Sequence, residues 1–262
     1  MVAQTFVVPL DGSGFAERAI PVASAIAERV NGRLLVVSAP YHGVLHPDEY
    51  LAGIVARYPN VPVETRAHPD FLPADAILNV VRESDDRVVV MSSHGRGRVR
   101  WSMLGSTAEE VVRQSDRPLF LVGRHCRDDF LTPGARLLAC VDGTETSERI
   151  APIATEWAAR LGLAVNAAIV IHPQDVANIE HPEVLLDPIV EHFGGLDRAH
   201  ATLLRNAYVA GALADFAGEL PASLIAMSSY ARTGIARVSL GSVTMAVLQL
   251  AECPLLVTHS PS

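Results

Sequence analysis

The chain has 262 residues, of which 49% are hydrophobic, and its formal net charge is −8 at pH 7. This length is long for one domain and natural for two, and the acidic balance argues against a nucleic-acid partner. All 21 basic residues are arginine, which excludes a Walker-type phosphate loop and Schiff-base chemistry because both need a lysine amine.

The apolar runs and the N-terminus predict a soluble, cytoplasmic protein. No run approaches the roughly 18 apolar residues of a membrane helix, and the opening MVAQTFVVPLDGSG lacks the basic and apolar regions of a secretory signal. Three cysteines without a CxxC spacing favour small buried residues over disulfides or a zinc site. We also expect no metal site from the histidines of the second half, because they show no HxxxH or HxH spacing. Those histidines are His172, His181, His192 and His200.

Short apolar runs alternate with helical patterns along the first half. The predicted elements are a strand at 5–10, a helix from Ser13 or Gly14 that Gly32 stops, a strand at 33–39, a short helix at 47–58, a strand at 61–67, a helix at 73–83, a strand at 87–91, a helix at 106–114 and a strand at 119–123. The second half follows suit, with 201–206 and 223–227 as its third and fourth strands. Such alternation predicts a parallel α/β sheet with right-handed crossovers and helices on both faces.

The chain repeats itself. VVPLDGSGFAERAIPVASAIAERV aligns with LACVDGTETSERIAPIATEWAARL at an offset of 131, and VVVMSSHGRGRVRWSMLGSTAEEVV aligns with LIAMSSYARTGIARVSLGSVTMAVL at an offset of 136. The repeat predicts two domains, residues 1–131 and 132–262, joined near Pro133-Gly134. Pro21 and Pro152 align, and a proline inside a helix removes a hydrogen bond, so we expect a bend early in the first helix of each half.

A carboxylate and a glycine-rich loop should face each other in the first half. Ligands of open parallel sheets bind at the carboxyl ends of the strands, where the strand order reverses. Asp11 follows the first strand and SSHGRGRVRWSMLGST (92–107) follows the fourth. The loop's glycines and a helix opening at Gly105 would aim N–H groups at an anion, and Asp11 suits ribose hydroxyls or a base N–H. The alternative is structural: Gly-Ser is also a good helix cap, and Asp-Gly is a good turn.

Nine residues separate Gly95 from Gly105, and Ser106 follows. This spacing resembles the universal stress protein family, whose nucleotide-binding members carry Gly, two residues, Gly, nine residues, Gly, then Ser or Thr. The resemblance covers essentially the whole chain, twice. It implies two tandem, Rossmann-like domains, each a five-stranded parallel sheet in the order 3-2-1-4-5, related by a pseudo-two-fold through their fifth strands. Pairing of two chains into a homodimer is a further expectation.

The resemblance also implies adenine-nucleotide contacts, carried over position by position. In the first half they fall on Pro9, Asp11, Ala39, Met91, Ser92, Gly95, Gly105, Ser106 and Thr107. In the second half they fall on Asp142, Val170, Met227, Ser228, Gly241, Ser242 and Val243. Of the loop arginines we expect Arg96 to contact phosphate. Ser92 and Ser228 replace the family's first glycine and Ala231 replaces its second, so the second half is the weaker candidate.

The function that the resemblance implies is ATP binding, with or without Mg²⁺, by a regulatory or stress-response factor. We expect no dedicated catalysis, because the chain has no GxSxG or HExxH motif and nothing that assembles a nucleophile, a base and an orienting group. Two alternatives stay open: a nucleotide-free scaffold of the same fold that acts through a protein partner, and a slow ATPase. We expect neither nucleic acid nor a membrane as a partner, and the sequence does not identify a protein partner.

Overall fold

The structure, a computed structural model, divides into two compact units, residues 1–124 and 125–262. It describes residues 3–38, 47–67, 72–94, 104–175, 181–194, 197, 200–220, 222–229 and 240–259. The segment before the second unit's first strand belongs to that unit: the Arg127 N–H donates to the Glu252 carbonyl at 2.8 Å. The unit boundary therefore falls a few residues before the joint predicted at 131.

The first unit is a parallel sheet with helices in its connections. Its elements are β1 Thr5–Leu10, α1 Gly14–Glu17, α2 Ala19–Val30, β2 Arg33–Ser38, α3 Pro47–Arg57, β3 Val63–Ala67, α4 Pro73–Arg82, β4 Arg87–Ser92, α5 Ser106–Gln114 and β5 Leu119–Val122. The strands pair in the order β3-β2-β1-β4-β5, and every pair is parallel. The core lies on both faces of β1, β2, β4 and β5, whose apolar side chains are almost all buried.

The second unit repeats this architecture. Its elements are β6 Arg136–Val141, α6 Glu145–Glu148, α7 Ile150–Leu161, β7 Ala164–Ile171, a 3₁₀ helix Pro182–Leu186, α8 Asp187–His192, β8 Ala201–Arg205, α9 Val209–Glu219, β9 Ala222–Ser229, α10 Ser242–Leu250 and β10 Leu255–His259. Its strands are again all parallel, in the order β8-β7-β6-β9-β10. The predicted α/β class with two parallel-sheet domains is therefore confirmed. Within the described residues, no helix is long and apolar enough to cross a membrane.

The first helix of each half is broken rather than bent. α1 ends at Glu17 and α2 begins at Ala19, with Pro21 four residues after Glu17. Proline has no N–H to donate to the carbonyl four residues back, and its ring crowds that carbonyl, so the helix cannot run through. Pro152 stands in the same relation to Glu148, where α6 ends. The aligned prolines thus separate a short first turn, next to the strand end, from the longer helix that packs on the sheet.

Helix α2 ends differently from the prediction. Asn31, not Gly32, is the C-cap, and it adopts the left-handed conformation with φ +53°. Gly162 occupies the same place in the second half, with φ +66°. Asparagine and glycine are the residues that tolerate this conformation and expose the last helical carbonyls to new donors. Gly32 therefore has another reason to be glycine, which is its close approach to β1.

A partly buried polar cluster ties the beginnings of β1 and β4 together. The Thr5 hydroxyl donates to Asp86 Oδ2 at 2.7 Å, and the Ser84 hydroxyl donates to Oδ1. The Arg33 Nε–H donates to the Thr5 hydroxyl at 2.9 Å, and its guanidinium lies 4.0 Å from Asp86 Oδ2. Burial by itself raises the pKa of Asp86, but these hydrogen bonds and the Arg33 charge outweigh it and leave the pKa below its usual value.

The Asp86 cluster predicts an acid-sensitive share of stability. A carboxylate with a lowered pKa stabilises the fold fully above its unfolded-state pKa, and that stabilisation is lost as the pH falls through the folded-state pKa. We expect Asp86→Asn to lower the free energy of unfolding at neutral pH by about 1–3 kcal/mol, and to flatten its fall below pH ~4. Urea titrations of both proteins across this pH range measure the effect. Parallel pH curves for the variant and the parent would contradict it.

The three cysteines are buried, as expected from their spacing, and none of them forms a disulfide with another described residue. Burial raises the pKa of the Cys140 thiol to about 12 and raises that of Cys253 as well. Because the thiolate is the reactive form, burial favours the less reactive protonated form of these two thiols.

Candidate functional site

The reversal of strand order in the first unit falls between β1 and β4. β1 pairs with β2 on one side and with β4 on the other, so the connections leave in opposite directions and open a crevice at the carboxyl ends. Asp11 follows β1 directly, and β4 ends at Ser92. In the second unit the reversal falls between β6 and β9, with Asp142 at the corresponding place.

Asp11 opens a tight turn into α1. The Ser13 N–H donates to Asp11 Oδ1 at 2.9 Å, and Gly12 has φ +78°, a conformation that glycine adopts without strain. The Ser13 hydroxyl then caps α1 by accepting the Ala16 N–H at 3.2 Å. The structural interpretation of the Asp-Gly pair is thus correct, and the same turn holds the carboxylate at the mouth of the crevice.

The second half builds the same turn with one more bond. Asp142 Oδ1 accepts both the N–H of Thr144, at 3.0 Å, and its hydroxyl, at 2.6 Å, while Gly143 has φ +79°. Ser147, where the first half has Ala16, donates its hydroxyl to the Thr144 carbonyl at 2.9 Å. This turn is therefore more strongly cross-linked within itself than the turn at Asp11.

The start of α5 faces the same crevice. The Gly105 N–H donates to the Ser93 carbonyl at 2.9 Å, and the Ser93 N–H donates to the Val122 carbonyl at 3.0 Å, which fixes the helix start to the ends of β4 and β5. Gly105 is the N-cap, and glycine has no side chain that could accept an N–H of the first turn. Ser106 is exposed and Thr107 is half-buried. The N–H groups of a first helical turn have no partner within the helix, and together with the positive end of the helix dipole they make this an anion-attracting position.

The start of α10 has the same backbone and a different surface. Gly241 is an extended N-cap without a side-chain acceptor, and Ser242 follows it, exposed. Val243, where α5 has Thr107, is 37% exposed. The second half therefore presents an apolar side chain where the first presents a hydroxyl.

The remaining predicted contacts divide into three groups. Met91, Ser92, Met227 and Ser228 are buried at the strand ends, whereas Pro9 and Val170 are half-buried. The Ser228 hydroxyl donates to the Ser147 carbonyl at 3.4 Å, so this serine supports the turn at α6. Ala39, Gly95 and Arg96, together with Ala231, lie outside the described residues.

One feature of the crevice wall escaped the sequence analysis. Glu17 of α1 accepts the Tyr50 hydroxyl at 3.0 Å and pairs with the Arg57 guanidinium at 2.9 Å, which fastens α3 to the turn that carries Asp11. Burial raises the pKa of Tyr50, and the hydrogen bond to Glu17 and the charge of Asp11 raise it further. In the second half Glu148 pairs with His192 of α8 at 3.0 Å. The signal in the sequence was that the repeat aligns Glu17-Arg18 with Glu148-Arg149.

The described residues of the crevice offer a carboxylate, at Asp11, and the N–H groups at the start of α5. His94 lies beside the crevice, with Nδ1 3.0 Å from the Ser93 hydroxyl. No cluster of His, Cys, Asp and Glu within the described ranges could hold a metal ion. A carboxylate and a set of helix N–H groups can bind a ligand that has hydroxyls at one end and negative charge at the other.

Comparison with known proteins identifies relatives of both halves. The model of the universal stress protein family matches residues 48–123 and 135–259. A universal stress protein of Mycobacterium tuberculosis is 26% identical over 202 residues, which cover 71% of this chain and 66% of that protein. The chain thus spans slightly less than two thirds of this relative's length. A universal stress protein of Thermus aquaticus is 34% identical over 134 residues, covering 45% of this chain and 98% of that protein.

Solved structures with the same fold cover nearly the whole chain. A universal stress protein from Archaeoglobus fulgidus superposes with a TM-score of 0.69 at 16% identity, covering 99% of each chain. A putative universal stress protein from Pseudomonas aeruginosa gives 0.68 at 15% identity, covering 98% of this chain and 94% of that one. At such identities the likeness is one of fold.

Proposed function

Because the chain belongs to the universal stress protein family, we propose that it binds ATP in its first half, as a regulatory stress-response factor and not as a dedicated catalyst. The observation that carries the proposal is the crevice between β1 and β4, where Asp11 and the uncapped start of α5 stand at the ends of adjacent parallel strands. This is the position at which open α/β sheets bind their ligands.

The two sides of the crevice suit the two ends of a nucleotide. The Asp11 carboxylate accepts hydrogen bonds from ribose hydroxyls or from a base N–H. The first-turn N–H groups of α5 and the Ser106 and Thr107 hydroxyls donate to phosphate oxygens. Arg96 adds the positive charge that a chain without lysine must draw from arginine, and Mg²⁺ could accompany the phosphates.

We assign the nucleotide to the first half rather than the second. The crevice of the second half carries an exposed Val243 at the phosphate end, and its Asp142 oxygen already accepts two bonds from Thr144. Glu145 stands exposed on the same turn, where the first half has the uncharged Gly14. Added negative charge and a lost hydroxyl both disfavour a polyphosphate. The second half would then have a structural role or bind a partner protein.

The proposal of a regulator rather than a catalyst rests on the same groups. Within the described crevice, the Asp11 carboxylate is bonded into its own turn, and the chain has no lysine to stabilise a transferring phosphoryl group. A nucleotide bound in such a site stabilises the folded first half to an extent that depends on the nucleotide concentration, so the protein would respond to adenine-nucleotide levels.

Asp11→Asn is the direct test. Asparagine keeps the side-chain oxygen that the Ser13 N–H needs but loses the charge and an acceptor, so the turn survives while the ribose contact weakens. We expect ATP binding, measured by isothermal titration calorimetry, to weaken about 10- to 100-fold. Mass spectrometry of ligand released from the purified protein identifies the nucleotide it carries.

Asp142→Asn is the matched control, because it makes the same change in the second half. We expect it to leave ATP affinity within about twofold. A purified protein that releases no nucleotide and shows no thermal shift in excess ATP would refute the proposal. An ATP hydrolysis rate above background that vanishes in Asp11→Asn would instead favour the slow ATPase.

A further inference from the structure

A groove of about 870 Å³ lies beside α9 in the second half. One wall is the face of α9 that carries Gly211, Ala214 and Gly218, and the other is formed by the segment that precedes β6 and by the C-terminal end of α10. The start of α10, which corresponds to the candidate phosphate position of the first half, is at the opposite end of that helix, so the groove is separate from it. Its volume is in the range of pockets that hold a few side chains or a small ligand.

Two apolar side chains stand exposed at the groove. Tyr208 is 59% exposed and Leu250 is 41% exposed. The Tyr208 ring lies directly against Gly211, where a Cβ would come within 2.4 Å of it, and the Tyr208 N–H donates to Asn206 Oδ1 at 2.9 Å. One side of the ring therefore packs on the backbone of α9, and the other side is open to solvent. Exposed aromatic side chains that need no reordering are typical anchors of protein interfaces.

The groove carries an excess of negative charge. Four carboxylates line it, those of Asp129, Asp215, Glu219 and Glu252, against the single guanidinium of Arg127. Arg127 is itself occupied: it makes a two-pronged contact with Asp129, at 2.9 Å for each bond, and lies 3.8 Å from Glu252. No partner for Asp215 or Glu219 occurs among the described residues. Since these two lie four residues apart on α9, they share one face of the helix.

We propose that this groove docks a basic, amphipathic peptide segment of a partner protein. Its lysine or arginine side chains would pair with Asp215 and Glu219, and an apolar side chain would pack between Tyr208 and Leu250 over the glycines of α9. The Tyr208 ring could also receive a cation on its face. Charge complementarity selects the basic segment, and the exposed apolar side chains select a peptide over a simple counterion. The inference does not depend on the nucleotide proposal.

The first experiment fills the groove. A Cβ at Gly218 meets nothing within 4 Å, so Gly218→Trp occupies the groove without disturbing the helix. Gly53 in α3 of the first half has the same open surroundings, which makes Gly53→Trp the matched control. The probe is a fluorescent amphipathic helical peptide of leucine and lysine, followed by fluorescence anisotropy. We expect Gly218→Trp to weaken binding at least about tenfold and Gly53→Trp to leave it unchanged.

The second experiment removes the charge. Asp215→Asn with Glu219→Gln should weaken probe binding at least about tenfold, whereas Glu28→Gln with Asp75→Asn, which changes the net charge equally, should change it less than about twofold. A probe in which glutamate replaces each lysine should not bind. Equal losses in the two charge variants, or in the two tryptophan variants, would overturn the proposal. Displacement of the peptide by spermidine at a comparable concentration would show that the groove binds small polycations. That result would also overturn the proposal.

Discussion

Gly105→Glu is expected to weaken ATP binding about 100-fold or more while leaving the first half folded. The backbone at Gly105 has φ −60° and ψ 144°, an extended conformation that any residue adopts, so glutamate introduces no backbone strain there. Its carboxylate, however, would lie at the N–H groups of the first turn and take the place of the phosphates. Loss of two charge-assisted hydrogen bonds is enough for this factor.

Gly241→Glu supplies the control in the second half. Gly241 has nearly the same backbone, with φ −53° and ψ 148°, and a Cβ there meets only the Thr244 hydroxyl at 3.9 Å. We expect ATP affinity and stoichiometry, measured by calorimetry, to stay at the values of the parent protein. An equal loss of ATP binding in Gly241→Glu and Gly105→Glu would mean that both halves bind the nucleotide. Unchanged ATP affinity in Gly105→Glu would show that the phosphates do not bind at the start of α5.

The central strands of the first half could be predicted because each lies in a uniform, buried environment. Runs such as 87–91 and 119–123 are covered on both faces, so burial makes them continuously apolar, and β4 and β5 occupy them. The sequence repeat also predicted that the two halves would share these elements. The ends of α2 and α7 agree with it: the Gly32 N–H donates to the Ala27 carbonyl at 2.8 Å, and the Leu163 N–H, 131 residues later, donates to the Ala158 carbonyl at 2.8 Å.

The site could be predicted only where its geometry is local. Asp11 and the start of α5 follow from turn and helix-start patterns within a few residues. The Glu17 contacts to Tyr50 and Arg57 join positions 33 and 40 residues apart, so only the folded chain brings them together. The nine-residue gap after Gly95 falls largely outside the described residues, so the roles of Gly95 and Arg96 stay predictions. So do the pairing of the two halves and the homodimer.

The glycine after α2 shows how the same position can answer to different forces in the two halves. Gly32 was predicted to end the helix, but its φ is not in the left-handed region and Asn31 is the cap. A Cβ at Gly32 would come within 2.6 Å of the Gln4 carbonyl oxygen and 3.0 Å of the Phe6 ring. The Arg33 N–H donates to that same carbonyl at 2.9 Å, so the oxygen cannot withdraw without breaking the start of β2. The second half carries Leu163 at this position.

Gly32→Ala is therefore expected to destabilise the first half, although the change from glycine to alanine usually stabilises. In a permitted backbone conformation alanine reduces the entropy of the unfolded chain and contributes about 0.4–1 kcal/mol. Here we expect a net loss of about 1–3 kcal/mol, because a methyl group forced against a fixed backbone oxygen shifts the chain on both sides. Hydrogen exchange of β1 peptides, followed by mass spectrometry, should show opening about tenfold more often or higher. Gly53→Ala, on an open face of α3, should slow exchange or leave it unchanged. Unaltered β1 protection in Gly32→Ala would mean that β1 and α2 can separate at no cost, and would remove steric contact as the reason for glycine at this position.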